Sequence, residues 1–165
     1  RMARTAWLYP HAGAFQQGLS VQYRQYAAHP EFAERPFDDG NFGYGVAYEL
    51  RDEMGFWQIG ARYTPDAGAD EQYDYVVTPF LNIFFRDRLA LAGIGILKDY
   101  LAETDTTDAD WTDLYYNLIL GIAVPVGNRL EVQAMAVYDF DDWGRLFKDF
   151  AWDEVEFAFS LALLF

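Results

Sequence analysis

The last twelve residues, Glu154 to Phe165, alternate between large apolar side chains and polar or small ones almost without a break. The apolar parity consists of Val155, Phe157, Phe159, Leu161, Leu163 and Phe165, and the other parity includes Glu156, Ala158, Ser160 and Ala162. A period of two is that of a β-strand with one apolar face. In water such an exposed strand is an aggregation hazard, whereas in a closed barrel it can face lipid with its backbone fully paired. The segment therefore predicts a lipid-facing strand.

Seven further segments alternate in the same way. They span about 15–27, 42–50, 56–64, 73–85, 89–98, 114–126 and 130–140. The parity of the fifth is ambiguous, because Leu89 and Leu91 disagree with Ile94 and Ile96. Pro79, in the fourth, has no N–H and requires a bulge or an unpaired position. Eight strands without a useful helical period predict an all-β chain.

The connections between these segments are alternately short and long. Short turns fall around 52–53, at 87 and at 127–129, whereas the long connections span about 28–41, 65–72, 99–113 and 140–154. Short and long connections then lie at opposite ends of an antiparallel up-and-down meander, as in bacterial outer-membrane barrels. We predict one domain, an eight-stranded transmembrane β-barrel over 15–165, with residues 1–14 as an N-terminal extension.

The turns also predict the hairpin registers. A turn at Asp52 and Glu53 places Gln58 opposite Ala47. A turn centred on Asn128 places Val126 opposite Leu130 and Pro125 opposite Glu131. Both registers keep small and polar side chains together on one face, and a slip by one residue reverses that order.

Composition limits the alternatives. The chain of 165 residues is 52% hydrophobic and 19% aromatic, yet no apolar run approaches the ~18–20 residues of a transmembrane helix. The absence of cysteine rules out disulfides and thiolate metal sites. A net charge of −14 argues against nucleic acid as a partner. No signal peptide is recognisable in 1–14, so an exported protein would be numbered here as a mature chain.

The two strand faces differ in chemistry, and this decides which one faces inward. The apolar face is rich in aromatic and branched residues, whereas the other consists mainly of Gly, Ala, Ser and Gln with a few charges. An eight-stranded interior is just wide enough for side chains. We expect an interior polar network of paired ions formed by Arg24, Glu49, Arg62, Glu131 and Glu156. The opposite arrangement, a soluble lipocalin-like cup for an apolar ligand, is the alternative.

Aromatic residues fall in two groups along the strands. Trp57 and Phe85 lie near the short turns. The group near the long connections comprises Tyr26, Phe42, Tyr63, Tyr73, Tyr100, Trp111 and Tyr138. Two such groups predict aromatic girdles at the two membrane interfaces.

With these features, residues 15–165 resemble the small bacterial outer-membrane β-barrels of the OmpA/OmpX-like group. The resemblance is sharpest in the C-terminal strand, where Phe157, Phe159, Leu161, Leu163 and Phe165 are similar to the sorting signal read by the barrel-assembly machinery. It implies a Gram-negative cell-envelope protein, porin-like in architecture, located in the bacterial outer membrane. Outer-membrane lipids, lipopolysaccharide and the assembly machinery are the partners implied.

Acidic residues concentrate in the long connections and at their edges, which hold 20 of the 26 acids. We expect a negative outward rim that keeps the loops soluble, holds divalent cations or binds a cationic partner protein. The densest cluster, Glu103, Asp105, Asp108 and Asp110, offers the oxygen ligands that Ca²⁺ or Mg²⁺ prefers, but it lacks the glycine and final glutamate of an EF-hand. No other cofactor is expected.

The loops also offer a partner surface, and catalysis is not indicated. Phe147, Phe150 and Trp152 carry enough apolar area for contact with an envelope protein. Lipid A-modifying barrels use Ser and His at the outer rim. The only serines here, Ser20 and Ser160, belong to predicted strands, and the histidines are His11 and His29. We therefore predict a structural, anchoring or binding role rather than an enzyme, with lipid A modification as the minor alternative.

Overall fold

The alternating segments of the sequence form the strands of the structure. The computed structural model describes residues 15–27, 35–68, 73–103, 109–146, 148 and 150–165, apart from the side chains of residues 103, 109 and 145. Its strands are β1 Gln16–Gln25, β2 Phe42–Arg51, β3 Gly55–Ala67, β4 Tyr73–Asp87, β5 Ala90–Leu97, β6 Tyr100–Glu103, β7 Ala109–Trp111, β8 Tyr115–Val126, β9 Leu130–Phe140 and β10 Glu156–Leu164. The last connection holds a short helix α1, Trp143–Leu146, and a 3-10 turn, Trp152–Glu154.

Eight of the strands form a closed antiparallel barrel. Their order around the wall is β1, β2, β3, β4, β5, β8, β9 and β10, and β10 pairs with β1 to close the sheet. Closure removes the edges that an open sheet would expose. The predicted all-β, eight-stranded up-and-down barrel is thus confirmed. Among the described residues, no helix is long and apolar enough to cross a membrane.

The third long connection is more ordered than the sequence pattern indicates. It contains the hairpin of β6 and β7, and β6 pairs with the first half of β4. The rings of Tyr100 and Trp111 meet edge to face across this hairpin, with centroids 5.1 Å apart. Strands of three and four residues are too short to show a period of two. Pro79 lies between the part of β4 that pairs with β6 and the part that pairs with β5, so its missing N–H falls where the ladder is interrupted.

One of the two predicted hairpin registers is wrong. Gln58 lies opposite Glu49, two residues from the predicted Ala47. The turn is longer than predicted because the Asp52 carboxylate accepts hydrogen bonds from the backbone N–H groups of Met54 and Gly55. A shift of two residues leaves every side chain on its predicted face. The other register is confirmed, with Val126 opposite Leu130.

The barrel also settles the parity of the fifth predicted strand. In β5, Leu91 and Leu97 are buried inside, whereas Ile94 and Ile96 are exposed on the outer wall. Inside, Leu91 belongs to an apolar cluster that also includes Phe56, Phe84, Ile119, Ala123, Met135, Val137 and Ala158. The interior is therefore filled by apolar packing as well as by polar groups.

A chain of hydrogen-bonded side chains crosses the middle of the interior. Asn117 donates to Asn82 at 3.2 Å, Asn82 to Gln58 at 3.1 Å, and Gln58 to Glu49 at 3.0 Å. Between Asn117 and Asn82 the chain passes over β5 at Gly95, which is the register partner of both. A Cβ atom there would lie 2.0 Å from Oδ1 of Asn82. Only glycine leaves room for this bridge.

We therefore expect Gly95→Ala to reduce the free energy of unfolding by about 1–3 kcal/mol, because the added methyl displaces the buried amides. Urea unfolding in detergent or lipid measures the loss. Gly45→Ala is the matched interior control, since a Cβ atom there meets nothing closer than 3.2 Å. Equal losses in the two variants would contradict this role of Gly95.

Candidate functional site

Large apolar side chains cover the outer wall of the barrel. Ile59 is 60% exposed and Leu120 is 66% exposed, each in the middle of its strand. Further exposed members are Leu19, Val21, Tyr44, Val46, Trp57, Tyr63, Phe85, Ile94, Ile96, Ile122, Val124, Val126 and Val132. We call this surface the outer apolar belt. It is far larger than the apolar patches that soluble monomers expose.

The C-terminal strand contributes its whole apolar face to this belt. The residues of the predicted assembly signal, Phe157, Phe159, Leu161, Leu163 and Phe165, are between 44% and 59% exposed. Strand β10 pairs with β9 on one side and β1 on the other. Its alternation therefore arises from its position in a closed wall, with Glu156 and Ser160 facing inward.

The aromatic groups partly match the predicted girdles. Trp57 and Phe85 are exposed near the short turns, and Phe42, Tyr63 and Trp111 are exposed toward the long connections. The prediction that Tyr26 belongs to a girdle is wrong, because its side chain faces the interior and is only 1% exposed. Its hydroxyl shares a hydrogen bond with that of Thr64, and its ring stacks on Phe37. Tyr138 is a second correction, since the last connection covers it.

One interior ion cluster lies toward the long connections. Arg24 pairs with both Glu156 and Asp139. Arg35 pairs with Asp139 and, at 3.3 Å, with Asp99. All five side chains are almost completely buried. Such shared guanidinium–carboxylate pairs satisfy charges that would be very costly alone.

Arg35, where the described part of the first long connection begins, lies in the mouth of the barrel. Its guanidinium lies 4.9 Å from the ring centroid of Phe37 and 5.2 Å from that of Tyr115. Burial lowers the pKa of Arg35, but attraction by Asp139 and Asp99 outweighs that effect, so the pKa is raised above its ordinary value. Arg35 therefore stays charged and holds the described start of this connection, at 35–37, in the mouth.

A second ion cluster lies toward the short turns. Arg51 pairs with Glu49 and, at 2.8 Å, with Glu131. Arg86 pairs with the other oxygen of Glu131. Gln133 donates to Glu131 at 3.0 Å. The central chain of amides described above connects this cluster to the middle of the barrel through Glu49.

Arg62 behaves differently from the other four buried arginines. It is 3% exposed, lies 5.1 Å from the ring centroid of Phe80, and donates to the hydroxyl of Tyr26 at 3.3 Å. Among the described residues it forms no ion pair, so the predicted pairing of Arg62 with a carboxylate is not seen there. The described interior holds five arginines and five carboxylates, and its formal charge is balanced.

The structure places all five predicted interior residues inside, but half of the network was missed. The missing partners are Arg35, Arg51, Arg86, Asp99 and Asp139. Asp99, Asp139 and Glu154 belong to the long connections or their edges, so the sequence predicts them in the exposed acidic rim. That prediction is wrong for all three, because each is at most 5% exposed. The parity of Asp139 with Glu131 along β9 was a usable signal. Arg35 lies in a connection, where no alternating pattern indicates whether a side chain faces inward.

The predicted cation cluster falls largely outside the described residues. Asp105 and Asp108 lie there, as does the side chain of Glu103. Asp110 is exposed and accepts a hydrogen bond from the backbone N–H of Trp111. Within the described part of the chain, no three acidic or histidine side chains come together as metal ligands.

The residues weighed for catalysis are only partly within the described chain. Ser20 and Ser160 are buried on the inner face, and Ser20 donates to the carbonyl of Ala47 at 3.5 Å. His11 and His29 lie outside the described residues.

The last connection lies against the outer wall. Tyr138 and Phe140 have the outward parity of β9, yet they are 6% and 1% exposed because Leu146 packs with them. The hydroxyl of Tyr138 donates to Glu154 at 2.9 Å. Of the predicted partner residues, Phe147 lies outside the described residues, whereas Phe150 and Trp152 are exposed with their rings edge to face at 5.0 Å.

No protein-family model matches this chain. No curated protein matches it either. The function is therefore inferred from the structure: the closed barrel, its outer apolar belt and an interior with equal numbers of described arginines and carboxylates.

Arg51 provides a test of the interior network. Arg51→Ala removes the shared partner of Glu49 and Glu131, and we expect a loss of about 3–5 kcal/mol in the free energy of unfolding. Urea unfolding in detergent or lipid measures it. Arg129→Ala, in an exposed turn, is the control and should change little. A loss below about 1 kcal/mol for Arg51→Ala would mean that the buried pairs do not stabilise the barrel.

Proposed function

We propose that this protein is an integral outer-membrane β-barrel with a structural, anchoring or binding role. The observation that carries the proposal is the inverted arrangement of the wall, with large apolar side chains outside and balanced ion pairs inside. Hydrocarbon is the solvent that such an exterior matches, and closure leaves no backbone group unpaired in it.

The alternative of a soluble apolar-ligand carrier requires the reverse arrangement. A lipocalin-like cup binds its ligand in an apolar interior. Here both ends of the interior are occupied by buried ion pairs, and an apolar cluster that includes Phe56 and Phe84 fills part of the remainder. Little of this interior suits an apolar guest, which favours the membrane reading.

The interior also favours a closed barrel over a channel. An eight-stranded barrel has no room for a bulk-water pore once its side chains are in place. The ion pairs of Arg24 and Arg51 bridge different strands of the wall at the two ends. The work of such a protein lies at its surface: the lipid-facing wall and the long connections that present acidic residues outward. Divalent cations at Glu103, Asp105, Asp108 and Asp110 stay a prediction.

The assembly signal is part of the same proposal. Before the barrel closes, β10 is an unpaired strand. A barrel-assembly machinery would recognise it then by its outward side chains. The surrounding lipid, which includes lipopolysaccharide, would contact the outer wall. An envelope protein partner is expected at the long connections. A lipid A-modifying activity stays the minor alternative, tested by the lipid A mass of expressing cells and by His29→Ala.

Cell fractionation tests the membrane proposal directly. We expect the protein in the detergent-extracted outer-membrane fraction, with a gel mobility that changes on boiling because the closed barrel resists unfolding by detergent. A protein that purifies from the soluble fraction without detergent, and whose mobility is unchanged by boiling, would refute the proposal.

A charge on the outer wall tests it at the level of one residue. Leu120 lies in the middle of β8, opposite Ala92 and Ala136 of the neighbouring strands. Leu120→Arg should cost about 2–4 kcal/mol in lipid vesicles, because the charge enters hydrocarbon. Leu114→Arg, just before the same strand at the end with long connections, is the matched control and should cost about 0–1 kcal/mol. Equal, small effects would contradict insertion of this wall into lipid.

A further inference from the structure

The last connection forms a flank on the barrel rather than a projection from its end. Leu146 packs on Tyr138 and Phe140, and Val155 packs against the same cluster. Tyr116 and Leu118 of β8 complete the contact from the wall side. The described residues between Asp141 and Val155 thus lie beside the outer wall, next to the part of the outer apolar belt nearest the long connections.

The outward side of this flank is aromatic. Trp143 is 45% exposed and Phe150 is 40% exposed, while Trp152 is 82% exposed. Two of the rings pack on the wall, since Trp143 meets Phe140 at 4.8 Å and Phe150 meets Tyr138 at 4.6 Å between ring centroids. Trp152 meets Phe150 edge to face at 5.0 Å. The rings are held by packing and are therefore pre-arranged to contact something beside the barrel.

Exposed acids in the same segment limit how deeply it can enter a membrane. Asp141, Asp142 and Asp153 are exposed, and Lys148 is exposed as well. A Lys or Arg side chain costs about 2–4 kcal/mol at the bilayer midplane, and an Asp or Glu less, but near the interfaces the cost falls to about 0–1 kcal/mol. Indole rings prefer that same interfacial depth, where an apolar ring and a polar N–H are both accommodated.

We propose that the described residues of 141–155, which we call the flank segment, bind the head-group layer of the bilayer, with Trp152 as their main lipid contact. This inference rests on the proposed membrane-spanning role. A lipid surface is favoured over a protein partner because the aromatic rings continue the outer apolar belt sideways, where lipid surrounds an inserted barrel. The flank segment would fix the depth of the barrel at the end with long connections.

Tryptophan fluorescence in phosphatidylcholine vesicles tests this proposal. One variant retains Trp152 alone, with the other four tryptophans changed to Phe, and a matched control retains Trp57 alone near the short turns. The lipids carry bromine either close to the head group or near the middle of the acyl chains. We expect bromine near the head group to quench Trp152 at least about twice as strongly as bromine near the chain middle.

The control separates the two proposals. If Trp57 is quenched by brominated lipid and Trp152 is quenched only by aqueous acrylamide, the barrel is inserted and the flank segment contacts water or a protein, which overturns this inference alone. If neither tryptophan is quenched by brominated lipid, both proposals fail. The gel mobility shift verifies that each variant is folded.

A second measurement avoids multiple substitutions. Trp152→Phe in the otherwise unchanged chain should reduce the quenching by bromine near the head group more than it reduces the quenching by bromine near the chain middle. Quenching by both lipids that is the same as in the unchanged chain would overturn the proposal. Trp57→Phe is the matched single substitution at the opposite end of the barrel.

Discussion

Closing eight strands into a barrel leaves an interior only as wide as the side chains that fill it, and the rest of the structure follows from that constraint. Burying a charge is costly unless a partner compensates it, and four of the five buried arginines that the structure describes are paired with carboxylates. Arg24 with Asp139 and Glu156, and Arg51 with Glu49 and Glu131, meet this need. The glycine at position 95 meets the same constraint by giving space to the amides of its neighbours.

The outer wall is the complement of this interior. Because a strand alternates its side chains, placing polar groups inside obliges the other parity to face outward, and here that parity is aromatic and branched. The wall thereby acquires a belt that matches hydrocarbon, and the proposal of a membrane barrel rests on this pairing of faces. Arg35 of the first long connection lies inside the mouth, whereas Leu146 of the last packs on the outside of the wall. Two long connections at the same end of the barrel thus contribute to its two different faces.

Much of the barrel could be predicted from the sequence because a period of two is a local signal. Residues such as Phe157 and Phe159 repeat it within one strand, and short turns such as the one around Asn128 determine a register from a few neighbouring residues. The register at Asp52 was missed by two residues because a carboxylate hydrogen-bonds the turn and lengthens it. The hairpin of β6 and β7 was missed because its strands are too short to show any period.

The sequence by itself therefore determined the fold class, the number of barrel strands and the two chemically different faces. Only the tertiary structure decided which charges meet. Arg35 and Asp139 are far apart along the chain, and Arg51 reaches Glu131 from another hairpin. Closure of the wall brings such residues together, and no local pattern contains that information. The same is true of Tyr138, whose outward parity predicts exposure but which is buried under a connection that folds back on the wall.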